Sequence, residues 1–298
     1  MELVAIPLLL VVGALLALQA GANVQLSAAL ANPVGASALQ LAIGAGLLIA
    51  LAAVVGTLGA AGRLDDAEAW HLVGGLGSAI YITAGILLFP RLGAVATVGL
   101  FITGQMLASL LLDGTGALGV AREPIGAVAV AGAVAVLAGV VVIVRAQGGA
   151  ARGGRWIALA LTAGAALPVQ GAINARLRTD LDAPITAGAW SFAVAATAML
   201  VVLALAARRP RARLDRLDRV PWWGWLGGLC GATYVTSVFL LIPEIGVAPT
   251  IALTVAGQQI ASVFVDRHGL LRLPRRPITR GRVAGVLTLL AGVVLLSA

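Results

Sequence analysis

Residues 13–26 read GALLALQAGANVQL and residues 164–177 read GAALPVQGAINARL. Both stretches sit inside long apolar runs, and each carries a Gln and an Asn four residues apart: Gln19 and Asn23, then Gln170 and Asn174. A helix brings positions i and i+4 onto one face, so each run carries a single polar stripe. Polar side chains inside a bilayer are expensive and usually face the bundle interior or a water-filled path. The two stripes are therefore read as the floor of a substrate pathway.

Working outward, the repeat extends over nearly the whole chain. The offset is 151 residues through the first two helices and 153 beyond an Arg-rich loop. In that second register Gly74-Gly75 meets Gly227-Gly228, Tyr81 meets Tyr234, and Pro90 meets Pro243. Gly104-Gln105 meets Gly257-Gln258, Asp113 meets Asp266, Pro124 meets Pro277, and Gly139 meets Gly292. Chance does not hold one register across so many Gly, Pro, Gln and Asp positions. The chain reads as a duplicated five-helix unit, residues 1–150 and 151–298. Five is odd, so the second unit enters the membrane from the opposite side. The expected fold is an all-α membrane protein of ten transmembrane helices in two inverted-topology five-helix repeats, a recurring plan for alternating-access carriers.

Composition agrees. The 298 residues are 60% hydrophobic and 11% charged, with a mean hydropathy of +1.04. A soluble domain needs more polar surface than this. Ten apolar segments are found, roughly at 3–29, 34–57, 69–89, 92–112, 124–145, 155–178, 185–207, 222–242, 246–265 and 279–297. Most match a hydrocarbon core of about 30 Å crossed at 1.5 Å per residue. None alternates as a barrel strand would. The first segment begins Met1-Glu2, unlike the basic start of a signal peptide, and aligns with a mid-chain segment, so it is read as a mature helix. Asn32-Pro33 offers an N-cap followed by Pro at N1, with Asp182 and Pro184 in nearly the same place later. Pro90 and Pro243 are expected to close the third and eighth helices, each before a short turn ending in Gly93 or Gly246.

The net charge is +8, and every basic residue is Arg. The Arg residues lie in short loops between apolar runs, which excludes a nucleic-acid face and marks topology instead. Sixteen of them fall on one side of the expected membrane and four on the side of the termini. Both termini are accordingly expected outside the cell. Without Lys there is no phosphate-binding P-loop and no Schiff-base chemistry. The single Cys230 cannot form an intramolecular disulfide, and a small packing residue is its simplest reading.

The doubled LPVQGAINARL-type motif, the paired turns FPRLG and IPEIG, and GQQIASVFVDRHG before a Pro-Arg-rich loop resemble a known family. The chain is similar to the YdcZ-like inner-membrane exporters of the drug/metabolite transporter superfamily, in a fused two-unit form. That resemblance covers essentially the whole chain. It implies a multi-pass protein of the bacterial plasma membrane that exports a small solute. One departure stands out: the second half has Asp266-Arg267-His268-Gly269 where the first has Asp113-Gly114-Thr115-Gly116.

Several side chains are candidates for a site. Gln19, Asn23, Gln170 and Asn174 are neutral groups that could bind a polar or cationic solute, or act as interhelical hydrogen-bond glue. Gln105, Ser109 and Asp113 form a line at i, i+4 and i+8, repeated by Gln258, Ser262 and Asp266. The two Gln side chains are expected to line the path. The two Asp side chains either belong to symmetric gates or are solvated helix ends. A carboxylate there opposes the helix dipole and needs a compensating partner. Tyr81 and Tyr234 could cradle a cation or simply pack. His71 and His268 are isolated and make a poor metal site. Trp70, Trp156, Trp222, Trp223 and Trp225 sit at helix starts, as an interfacial belt would, and Trp190 lies inside a helix.

No Ser/His, paired-Asp or HExxH constellation lies in the apolar runs, so no enzyme activity and no cofactor are expected. The reading is a secondary transporter, an exporter of a small metabolite or drug-like solute, working by alternating access. A non-transporting scaffold or sensor is the alternative. The expected partners are the small-molecule substrate and the lipid bilayer, with no nucleic acid, and a homodimer is left open.

Overall fold

The structure is a computed structural model and describes residues 2–122, 124–146, 153–205, 212–245 and 247–296. Ten α-helices account for the described chain: α1 (Glu2–Leu30), α2 (Pro33–Val54), α3 (Leu76–Leu92), α4 (Ala94–Thr115), α5 (Ala127–Ala146), α6 (Gly154–Leu181), α7 (Pro184–Leu205), α8 (Gly227–Ile245), α9 (Val247–His268) and α10 (Arg280–Leu296). Seven helical segments among the described residues are long and apolar enough to cross a membrane. Side-chain placement says the same. Val11, Leu111, Leu200, Leu205, Leu287 and Val294 point outward, each more than half exposed, whereas Gln19, Asn23, Gln40, Thr103 and Gln259 are buried. That inversion suits a lipid solvent.

Local signals set the helix boundaries. The Asn32 side chain accepts from the Gly35 N–H at 2.9 Å, and Pro33 opens α2. Pro90 does not close α3; it lies within the last turns, and the helix runs on to Leu92. The break falls at Gly93, whose φ of 81° is a conformation glycine adopts without strain. The equivalent turn at Gly246 lies outside the described residues.

Left-handed residues recur at repeat-equivalent positions. Ala31 has φ 51° and Asp182 φ 48°; Leu118 has φ 55° and Leu271 φ 58°; Gly116 and Gly269 have 71° and 63°. Leucines adopt this region only when something holds them there. Here the Gln25 amide donates to the Leu271 carbonyl at 2.9 Å, and Arg176, the residue equivalent to Gln25, reaches the Leu118 carbonyl at 3.5 Å.

The two halves are not side by side. The packing of α1 is mainly on α9 and α8, and that of α6 on α4 and α3, so each half lays its first helix into the other half. The remaining large contacts are α2 on α7 and α5 on α10. Every one of these contacts maps onto itself or another when α1–α5 are exchanged with α6–α10. The glycines show how close the backbones come. A Cβ on Gly13 would overlap the Thr254 carbonyl and one on Gly257 the Leu10 carbonyl; at the equivalent places Gly164 meets Phe101 and Gly104 meets Leu161. Close backbone approach of this kind substitutes for the hydrophobic drive that helices lack in lipid.

The result is two crossed bundles. The first holds α1, α2, α8 and α9, and the second holds α6, α7, α3 and α4. They meet along α2/α7 and α4/α9, with α5 and α10 paired to one another.

Candidate functional site

The polar stripes lie inside the crossed bundles. In the second, Ser78 on α3 donates to Gln170 on α6 at 2.9 Å, and the Asn174 amide donates to Ser191 on α7 at 3.0 Å. The Asn174 carbonyl oxygen faces Gly74, where any Cβ would overlap it. In the first, the Asn23 carbonyl oxygen faces Gly227 in the same way, and Gln19 lies against Gly231 on α8. Neither Asn carbonyl oxygen has an N–H or O–H partner. A glycine Cα–H is a weak donor to such an oxygen. Among the described residues no hydrogen bond joins the Gln19/Asn23 stripe to the Gln170/Asn174 stripe. The Gln170/Asn174 stripe ties its bundle by hydrogen bonds, whereas the Gln19/Asn23 stripe lies against glycines of α8.

Gln40 on α2 was not singled out in the sequence. It lies beside Asn23 over Gly227, is 1% exposed, and has no partner for either amide atom. Its equivalent is Ser191, so one repeat position carries a polar group in both halves. That is the signal that could have found both.

A second polar set runs between the bundles. The Gln258 amide on α9 donates to the Tyr81 hydroxyl on α3 at 2.7 Å, and the Tyr81 ring packs on Phe101 at 4.6 Å. The equivalent pair is Gln105 and Tyr234. Gln105 is buried with its Nε2 unpartnered, so among the described residues the hydrogen bond made by Gln258 and Tyr81 has no counterpart here.

The two Asp residues also differ. Asp266 is not a solvated helix end: it is 1% exposed at the last turn of α9. Its carboxylate accepts from the Ala94 N–H at 2.8 Å and the Val95 N–H at 3.2 Å, the first turn of α4, and pairs with Arg282. The positive end of α4 thus offsets a negative charge set against the dipole of α9. The Arg276 N–H closes the adjoining loop onto the Asp266 carbonyl at 2.7 Å, and its guanidinium reaches the Arg91 carbonyl at 3.0 Å. Asp113 is half-buried. Where the second half has Arg282 the first has Ala129, so this ion pair belongs to one half. A groove between the end of α4 and the loop before α5, around Leu110 and Ile125, measures about 500 Å³, and the equivalent groove between α9 and α10 around Val263 and Ile278 about 160 Å³.

The remaining candidates are structural. His71 bonds Asp180 at 2.5 Å and Trp190 donates to the Leu72 carbonyl at 3.0 Å. Trp156 takes Arg91 and Arg155 over its ring at 4.5 and 4.7 Å. Among the described residues no three His, Cys, Asp or Glu side chains gather as a metal site.

Fold and site together define a polytopic helical membrane protein whose buried polar groups lie along and between crossed bundles. Residues 4–142 and 155–295 each match the family model described as "Putative inner membrane exporter, YdcZ". The chain belongs to that family, in a two-unit form, and is a multi-pass transport protein of the inner membrane. A solved structure titled only "Crystal structure of protein" shares the fold, with a TM-score of 0.56, 19% identity and 95% of each chain covered. No curated protein matches the chain.

Proposed function

We propose that the protein is a secondary exporter of a small metabolite or drug-like solute, working by alternating access between two inverted five-helix repeats. The observation that carries this reading is the crossed packing, in which each repeat lends its first helix to the other. Two equivalent bundles that meet along α2/α7 and α4/α9 can rock against each other and expose a central path to either side in turn. Tyr81, Tyr234, Gln105 and Gln258 lie where that path passes between the bundles, and Gln19, Asn23, Gln170 and Asn174 form its walls. Asp113 and Asp266 stand at its two ends. These groups apart from the two Asp are uncharged, so the solute is held by hydrogen bonds and dipoles. The Arg bias sets both termini outside, which puts Asp266 and the Arg-rich loops in the cytoplasm.

The test is a thermal-shift screen of small solutes on the full chain in mild detergent, followed by counterflow of each hit in liposomes. A solute at 100 times its Kd should stabilise the native state by about 2.7 kcal/mol. The same solute should exchange across the liposome membrane. A solute that stabilises the protein but does not cross would overturn the transporter reading in favour of a sensor.

A further inference from the structure

Equivalent positions in a duplicated chain should make equivalent contacts. Here most do, and the exceptions fall together. α3 packs on α1, with Gly85 against Ala20, but among the described residues the equivalent seam between α8 and α6 shows no comparable packing. On α1, Leu16, Ala17 and Gly21 are buried; on α6 the equivalent Leu167, Pro168 and Ala172 are half-buried. Gly171, the equivalent of Ala20, is exposed and has open space beside it. Of the most apolar stretch of each helix, 50% is buried in α1 and 17% in α6. The open seam and Asp113 lie toward one end of the molecule, and the closed seam and the buried Asp266 toward the other.

The sequence supplies a local cause. α6 has Pro168 and Gly171 where α1 has Ala17 and Ala20. Pro168 removes the helix hydrogen bond to the Gly164 carbonyl, whereas each helix has one glycine in the next turn, Gly21 in α1 and Gly171 in α6. α6 therefore has a point of bending near Gly171 that α1 lacks at Ala17.

The middle of the molecule records the same imbalance. Gln258 Nε2 donates to the Tyr81 hydroxyl, and the atom left unpartnered is the Nε2 of Gln105, its equivalent. Among the described residues no hydrogen bond joins that Nε2 to the Tyr234 hydroxyl, its counterpart by the repeat. One of two equivalent contacts is made and the other is not, so exchanging them trades one hydrogen bond for its equivalent.

We propose that Tyr81–Gln258 and Tyr234–Gln105 are alternative latches between the two bundles, and that the structure holds the first closed and the second open. Exchange breaks the Gln258-to-Tyr81 hydrogen bond, leaving Gln258 Nε2 unpaired, and forms the equivalent one from Gln105 Nε2 to the Tyr234 hydroxyl. The α1–α3 seam opens as the α6–α8 seam closes, and the Asp266 carboxylate releases the first turn of α4. The use of this exchange rests on the transporter reading, but the exchange itself needs no solute to be measured.

The experiment uses the full chain in liposomes with a cysteine placed at Gly171 or, separately, at Ala20, and the rate of reaction with a small maleimide. Buried Cys230 serves as the background. Cys at 171 should react about tenfold faster than Cys at 20. Tyr81→Phe and Gln258→Leu, which remove the same bond, should each slow the first and quicken the second by about threefold to tenfold, the worth of one hydrogen bond. Tyr234→Phe should shift neither by more than about twofold, because its latch is already open. Unchanged rates in both Tyr81→Phe and Gln258→Leu would overturn the proposal. So would rates that rise together, since that signals loosened packing and not exchange. If the rates exchange while no stabilising solute crosses the liposome, the latch stands and the transporter reading falls. If solutes cross and the rates never exchange, the reverse holds.

Discussion

The seam between α1 and α3 and the seam between α6 and α8 occupy equivalent places in a duplicated chain, yet among the described residues one is packed and the other stands apart. Their sequences differ at the contact itself, where Gly85 and Ala20 correspond to Val238 and Gly171. On the latch proposal the two seams are alternatives, and the crossed bundles close at one end or the other. The buried polar groups sort along the same line. Those within a bundle, such as Ser78–Gln170 and Asn174–Ser191, hold it rigid. Those between bundles, Tyr81–Gln258 and the Asp266 carboxylate on the first turn of α4, mark the closed end.

The largest expected effects come from the contacts that both states share. Gly104→Val and Gly257→Val drive a side chain into the Leu161 and Leu10 carbonyls, and each should cost about 3 kcal/mol or more. Both should leave little monodisperse protein on gel filtration. Failure of only one would mean that the crossed packing is not equivalent in the two halves.

Next come the two ends. Asp266→Asn leaves Arg282 buried without its counter-charge and should lower stability by about 3–5 kcal/mol. Asp113→Asn, at a half-buried position where the equivalent of Arg282 is Ala129, should cost less than Asp266→Asn. Thermal unfolding in detergent reads both. Equal losses would erase the distinction between a clasped and an open end.

Asn174→Ala removes the hydrogen bond to Ser191 and should cost about 1–3 kcal/mol of stability, more than Asn23→Ala, whose carbonyl oxygen has no partner. Loss of transport with unchanged stability would move these residues from the walls to the binding site. Gln40→Leu has the smallest expected effect. Its amide has no partner, so an apolar group of similar shape should leave stability unchanged or raise it by about 1 kcal/mol. A Gln40→Leu variant that is stable but inactive would identify that amide as a group that meets the solute.

Much of this was legible in the sequence. Apolar segment lengths located eight of the ten described α-helices to within about three residues, while α3 begins at Leu76 and α8 at Gly227, after short 3-10 turns that the apolar runs had included. The register at 151 and 153 residues located the equivalent positions. The Pro signal was misjudged at Pro90, because a proline in the last turn costs only one backbone bond and Gly93 makes the break. Three things stayed hidden. Pairing between helices is a long-range choice, so nothing local said that α1 packs on α8 and α9. The burial of Asp266 depends on Arg282, sixteen residues away across a Pro-Arg-rich loop, although Ala129 at the equivalent place was a hint that the two Asp residues differ. The imbalance between the seams does not follow from the repeat register; Pro168 against Ala17 and Val238 against Gly85 are the sequence differences that stand at the seams.

The most direct measurement compares the two seams in one preparation. Spin labels at Ala28 and Leu87 span the α1–α3 seam, and labels at the equivalent Thr179 and Leu240 span the α6–α8 seam. Pulsed dipolar distances on the two doubly labelled proteins in liposomes should give a shorter main distance for the first pair than for the second. Tyr81→Phe should then add a longer component to the first and a shorter one to the second. Equal distances for the two pairs, unmoved by Tyr81→Phe, would contradict the account.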